Sequence, residues 1–300
     1  MKQLDVRNED FPINLLKIKD PPQKIYALGN TKLLNNIIIS IIGSRAASAN
    51  GKNIAQKFAN ELSSVGVTVT SGLAKGVDSA AHWGAISNKG KTIAVLPSGF
   101  NNIYPKENKF LFEEILRNDG CVISEYEPNE TAESYKFIRR NRIVSGISVG
   151  ICVIEAAYRS GTSITAKMAQ NQGKEVYCLP HDINDLHGVG TNKLIKNGAK
   201  LITSSQEIIK DLNYKFDLNL KTNKLKKEHI KESGKNKDIN YNFMNNTMKE
   251  IFRVLENGEL TITEISYKLK KDIMELNSLI SLMELEGVII QIGDKFKINV

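Results

Sequence analysis

The stretch FIRRNRIVSGISVGICVIEAAYRSGTSITAKMA, Phe137 to Ala169, decides how the chain is read. Three arginines in four residues (Arg139, Arg140, Arg142) precede the apolar run Val149 to Ile154, and Ser160-Gly161-Thr162 then opens a helical pattern. A continuous apolar run bounded by turn residues is the pattern of a parallel strand buried on both faces. Thr162 is expected to cap the following helix. Unpaired N–H groups at a helix start favour an anion, and the planar guanidinium matches a phosphate bidentately. The stretch therefore reads as a phosphate-backbone site. The competing reading makes RRNR a solvated helix face and Ser-Gly-Thr an ordinary cap.

Working outward, the same alternation recurs. Strands are expected over Asn36 to Ile42, Val67 to Thr70, Thr92 to Leu96, Cys121 to Ser124, Val149 to Ile154, Glu175 to Leu179 and Lys200 to Ile202, with helical spacing between most of them. Strands alternating with helices predict an α/β fold, an extended Rossmann-like, doubly wound and mostly parallel sheet. Ligands in such sheets bind beyond the carboxyl ends of the strands, near a switch in strand order. Gly43-Ser44-Arg45, Ser71-Gly72, Ser98-Gly99 and Ser160-Gly161-Thr162 all fall at those ends. Glycines let a phosphate approach the backbone, and hydroxyls add donors. Neither GxGxxG nor GxxxxGK[ST] occurs, so neither a dinucleotide fingerprint nor a P-loop is supported.

The 300 residues carry a net charge of +8, which suits a polyanionic partner without requiring one. Residues 1–212 hold 26 Lys+Arg against 20 Asp+Glu, residues 213–240 hold 8 against 4, and residues 241–300 hold 7 against 9. The basic character thus belongs to the first two segments. Cys121, Cys152 and Cys178 lie in separate strand-like runs without CxxC spacing, as buried thiols of a reducing compartment would. With no N-terminal signal pattern and no apolar run of roughly 18 residues, a cytoplasmic protein without membrane insertion is expected.

Residues 1–36 include the turn-rich DPPQKIYALGN and are expected to form an arm packing on the core domain, 37–212. Residues 213–240, rich in Lys and Asn, read as a basic linker. Residues 241–300 predict three helices, the third capped by Gly287, and a hairpin around Gly293-Asp294, a small winged-helix module. Its third helix, DIMELNSLISLMELE, carries four acidic residues and no Lys or Arg, the wrong composition for a helix facing phosphates.

On these residues the chain resembles the DNA-processing protein A family (DprA, also called Smf). The matching blocks are IIGSRAAS, SGLAKGVDSAAH, TIAVLPSGFNNIYPKEN, VISEY, RRNRIVSGIS, VIEAAYRSGTSITAKMA and GVGTNKLIKNGAKLI, in the family's order over most of residues 37–202. The resemblance implies a single-stranded DNA-binding homodimer that protects incoming DNA and helps load RecA recombinase in natural transformation. No catalysis and no cofactor are implied. The DNA contacts the resemblance implies are Arg45, Lys106, Lys109, Arg140, Asn141, Arg142, Ser160, Gly161 and Thr162; the reading of the strand ends and the basic cluster adds Gly43, Ser44, Ser71, Gly72, Arg139 and Lys167, and the short apolar strand in LIKNGAKLI puts Asn192, Ile195 and Leu201 at the expected dimer interface. Tyr104, in a loop beside Lys106, is the expected base-stacking residue. Ile138 and His181 depart from the family, which usually has proline and glycine there, and altered loop geometry is the most that is expected of either. The helical domain that many relatives carry ahead of the sheet is expected to be absent.

An alternative from another class is a nucleoside monophosphate hydrolase using Glu155 and Arg45, although the GGxGT run of such enzymes is missing. His181, Asp182, Asp185 and His187 lack the spacing of a helical metal pair, and no metal is expected. His82 reads as a core histidine.

Overall fold

The computed structural model describes residues 1–158, 160–218, 220, 246–256, 258–285 and 288–298. The chain divides into two units, Met1–Asn223 and Lys224–Val300.

The first unit is built on a nine-stranded sheet. Its strands are β1 (Lys2–Asp5), β2 (Lys24–Gly29), β3 (Ile38–Ile42), β4 (Thr68–Ser71), β5 (Thr92–Leu96), β6 (Cys121–Ser124), β7 (Gly150–Val153), β8 (Glu175–Cys178) and β9 (Lys200–Leu201). The spatial order is β1-β2-β6-β5-β4-β3-β7-β8-β9, parallel from β6 to β9. The chain leaves β3 in one direction through β4, β5 and β6, then returns to its other side with β7, so the switch point lies between β3 and β7. The arm over residues 1–36 does more than pack on the core: its β1 and β2 are sheet strands, antiparallel to each other, and β2 is antiparallel to β6.

The helices are α1 (Ile13–Leu16), α2 (Ala49–Ser64), α3 (Val77–Ser87), α4 (Lys109–Arg117), α5 (Ser134–Ile147), α6 (Gly161–Asn171), α7 (Val189–Lys196) and α8 (Ser205–Phe216). They cover both faces of the sheet, which is why β3 is apolar on both. Ile38 and Ile42 join a cluster with Ile143, Val144 and Ile147 of α5, while Ile39 and Ile41 face Phe58 of α2 and Ala81 of α3. Ser40, on the α5 side, donates its hydroxyl to the Val144 carbonyl at 2.7 Å, so the one polar residue of the strand is satisfied. His82 is fully buried with Nδ1 2.7 Å from Thr92 Oγ1, and burial pushes its pKa down to about 3. It sits in the core as a neutral packing residue. All three cysteines are buried, and burial raises their thiols.

The second unit holds α9 (Asn246–Leu255), β10 (Leu260–Thr261), α10 (Ile262–Leu269), α11 (Ile273–Leu285), β11 (Ile289–Ile292) and β12 (Lys295–Ile298). Its strands form one antiparallel sheet in the order β10-β12-β11. Met248, Ile251, Ile265, Leu276, Ile280 and Phe296 meet in its core. The first residues of the expected linker end α8; residues 219 and 221–245 lie outside the described residues, as does Gly287.

Candidate nucleic-acid interface

The ends of β3, β4 and β7 surround a cavity of about 460 Å³. Gly43, Ser44, Arg45 and Ala46 from the β3 turn form one wall, Gly72 and Ala74 from the β4 turn another, Arg140 and Asn141 of α5 the floor, and Ser160, Gly161, Thr162 and Thr165 the far side. The start of α6 thus opens on the cavity, with its unpaired N–H groups and positive dipole end. Its N-cap is Ser160, whose hydroxyl accepts from the Ser163 amide at 3.3 Å; Thr162, the expected cap, is already helical.

A second cavity of about 170 Å³ shares Arg45, Gly72, Ala74 and Arg140 with the first and adds Lys75, Tyr104, Pro105 and Phe137. Here Phe137 organises the side chains. The Arg45 guanidinium lies 5.2 Å from its ring centroid, and the Tyr104 ring meets its edge at 5.2 Å and 78°. Arg45 is exposed and forms no ion pair among the described residues. An arginine stacked on an aromatic face, beside a half-exposed tyrosine, offers flat surfaces to bases and charge to phosphates together.

The three arginines of the opening stretch do not converge. At 100° per residue a helix puts Arg139 and Arg142 on one side and turns Arg140 away. Arg140 is buried beneath the cavity, donating through Nη1 to the carbonyls of Gly72 and, at 2.6 Å, Val95. Burial lowers its pKa to about 10, with Asp78 opposing that shift and the like charge of Arg45 adding to it. Asp78 is itself buried and is pushed upward by burial, while Arg140 and the amides of Gly72 and Ala74 favour its ionised form. A Cβ on Gly72 would fall 2.6 Å from the Arg140 guanidinium, so a side chain there would displace the guanidinium from its carbonyl partners. Arg142 is buried in an ion pair with Glu125 at 2.6 Å and reaches Asp20 at 3.1 Å, and Arg139 lies 3.6 Å from Glu125. Both are engaged on the side of α5 away from the cavity lining.

Other expected residues scatter too. Ser71 is buried, its hydroxyl donated to the Ile41 carbonyl at 2.7 Å. Lys106, in the turn before α4, and Lys109, the first residue of α4, are exposed and line neither cavity; Glu107 between them pairs with Lys75 at 2.7 Å. Lys167 faces a separate groove between α6 and α7. Among the interface residues, Asn192 spends its amide on both backbone groups of His181, Ile195 is partly buried, and Leu201 is exposed on β9, the last strand of the sheet. Phe137 was not singled out by the sequence reading, because an aromatic residue on a helix more often signals core packing.

Glu155, the alternative's catalytic carboxylate, is buried and accepts from both the amide and the hydroxyl of Ser48, which caps α2. His181 is held between the Ile154 carbonyl at 2.8 Å and Asp185 at 3.1 Å. Among the described residues no group of three ligating side chains could hold a metal ion, and no helix is long and apolar enough to cross a membrane.

Comparison with known proteins matches this arrangement to a family. The family model for DNA recombination-mediator protein A matches residues 2–213. Protein Smf of Escherichia coli K12 is 40% identical over 207 residues, 69% of this chain and 55% of that protein, so the chain spans about half the length of this relative. DNA processing protein DprA of Streptococcus pneumoniae R6 is 39% identical over 209 residues, 70% of this chain and 73% of that protein. The X-ray structure of DprA from Streptococcus pneumoniae gives a TM-score of 0.67 at 38% identity, covering 70% of this chain and 73% of that one. DprA from Helicobacter pylori, whose structure reports a single-stranded DNA binding mode, gives 0.65 at 32%, covering 72% and 97%. With the family model spanning the whole parallel sheet and the residues around both cavities, the chain belongs to the DNA recombination-mediator protein A family, together with proteins called DprA and Smf.

Proposed function

We propose that this chain binds single-stranded DNA without sequence preference at the two joined cavities. The carrying observation is the exposed Arg45, without an ion pair among the described residues and stacked on Phe137 beside Tyr104, at the mouth of a cavity floored by Arg140 and faced by the α6 N-terminus. Guanidinium and helix N–H groups serve the phosphates, and the rings serve any base, since every base has a π-face. The reported single-stranded DNA binding mode of the Helicobacter pylori relative supports the same reading. In this reading the protein processes DNA in recombination, protecting incoming strands and helping to load RecA recombinase during natural transformation, in the cytoplasm and without covalent catalysis. The engagement of Glu155 by Ser48 favours this over nucleotide hydrolysis. Competition of a fluorescent oligo-dT by mixed-sequence single strands should occur at similar concentrations, with no free base released from nucleoside monophosphates. A strong preference for one sequence, or release of base, would sink the proposal.

The same reading makes the protein a homodimer through the β9 end of the sheet. A strand end with one ladder partner and an exposed leucine invites pairing with a second copy. Leu201→Arg is expected to halve the mass seen by light scattering. Retention of the wild-type mass would remove Leu201, and with it Asn192 and Ile195, from the interface.

A further inference from the structure

We propose that Trp83 of α3 and Phe110 of α4 form a further base-binding subsite, for a strand that extends past the smaller cavity, with Lys106 and Lys109 on its phosphates. This rests on the single-strand reading above. The two rings stand with centroids 5.9 Å apart at a tilt of 37°. Trp83 is half-buried, packed against the cluster that contains Leu73, Ile86 and Leu111, while Phe110 is 60% exposed. The pair is thus a fixed ring carrying an open one, and an open ring held in place loses little freedom when a base covers it.

The surroundings of the pair select the occupant. Tyr104 and Pro105 line the smaller cavity, and the chain runs on from them through Lys106 and Lys109 to Phe110. A 3-10 turn, Lys106–Asn108, leads into α4, so Lys106 and Phe110 are only roughly 6–8 Å apart along the backbone. Asn108 pins this turn beside the cavity, donating its amide to the Leu73 carbonyl at 2.7 Å and to the Ser79 hydroxyl at 2.9 Å. Lys106 and Lys109 are exposed and form no ion pair among the described residues. The carboxylates near them are engaged, Glu107 by Lys75 at 2.7 Å, and Glu113 and Glu114 by Arg117 at 3.5 and 2.5 Å. Two ammonium groups beside two aromatic rings match a polymer of phosphates and bases. An acidic peptide would match the charge as well, but on the reading above the strand already reaches this turn at Tyr104.

Trp83 is the sole tryptophan of the chain, so its fluorescence reports on the subsite directly. Titrating the full chain with an oligo-dT of roughly 16 nucleotides should quench that fluorescence in step with binding followed by anisotropy of a labelled strand. An abasic strand of the same length should bind through its phosphates without the quench. Phe110→Ala should weaken oligo-dT binding by roughly 5- to 100-fold, the scale of one stacked base, and Phe110→Tyr should restore it. Because Phe110 is exposed, the replacement is mild for the fold, and an unchanged Tm checks this. Lys109→Ala should make the log–log salt slope shallower by about 0.7. Binding without a quench, an equal quench by the abasic strand, or wild-type affinity in Phe110→Ala would overturn the subsite and leave the cavities standing. A quench by an acidic peptide and not by oligo-dT would give the patch to a protein partner and overturn it too. Oligo-dT that quenches wild type and Arg45→Ala at the same concentrations would support the subsite and count against the cavities, whereas no binding at all would end both readings.

Discussion

Arg45→Ala is expected to weaken single-stranded DNA binding by roughly 10- to 100-fold, the scale of a lost charge-assisted hydrogen bond. Arg45 is exposed, without an ion pair among the described residues and stacked on Phe137, so on the proposed reading its loss removes a phosphate contact and one face of the base platform together. Exposure also makes the change mild for the fold, within about 0.5 kcal/mol by the usual behaviour of surface substitutions. The log–log salt slope should become shallower by about 0.7, one phosphate contact fewer on a single strand. Arg45→Lys should keep the slope and lose the planar stack. Equilibrium anisotropy at several salt concentrations reads both quantities. Unchanged affinity and slope would show that the cavity mouth is not where the strand binds.

Arg140→Ala should act in the opposite way, through the fold. Its guanidinium ties α5 to the turn after β4 and to the end of β5, and it opposes the burial cost of the Asp78 carboxylate. Removing one partner of a buried charge system costs about 3–5 kcal/mol, because the other is left uncompensated. For a unit of this size that is a fall in Tm of roughly 10 °C. DNA binding should fall as well, since the Gly72 carbonyl loses its guanidinium partner and Asp78, which holds the Gly72 and Ala74 amides, loses its neighbouring charge. A variant with wild-type Tm and lost binding would instead make Arg140 a direct phosphate contact.

The parallel sheet was legible because its strands are buried on both faces and so appear as unbroken apolar runs, Ile37 to Ile42 above all. The two antiparallel strands were not, because pairing of KIYALG with β6 joins positions far apart in sequence and leaves no local pattern. Within the site, the glycine turns after β3 and β4 and the α6 start were readable from their place at strand ends. The fate of each arginine was not, since RRNR gives no sign of which side is covered. Once α5 is known to begin at Ser134, helical periodicity separates Arg140 from Arg139 and Arg142, but Glu133 ahead of it makes no side-chain cap to mark that start. Phe137 was hidden for a related reason. Its partners Arg45 and Tyr104 come from loops that meet only in the folded chain.

Competition between a single-stranded oligomer and a duplex of the same length, for the full chain at two salt concentrations, tests the central claim most directly. Bases stacked on Phe137 and Tyr104 must be unpaired, whereas phosphates are present in both ligands. The single strand is therefore expected to bind at least about tenfold more tightly at both salts, a difference of about 1.4 kcal/mol. Both affinities should fall as salt rises. Equal affinity for the two, or binding indifferent to salt, would contradict a site built from an exposed arginine, an aromatic platform and a helix start.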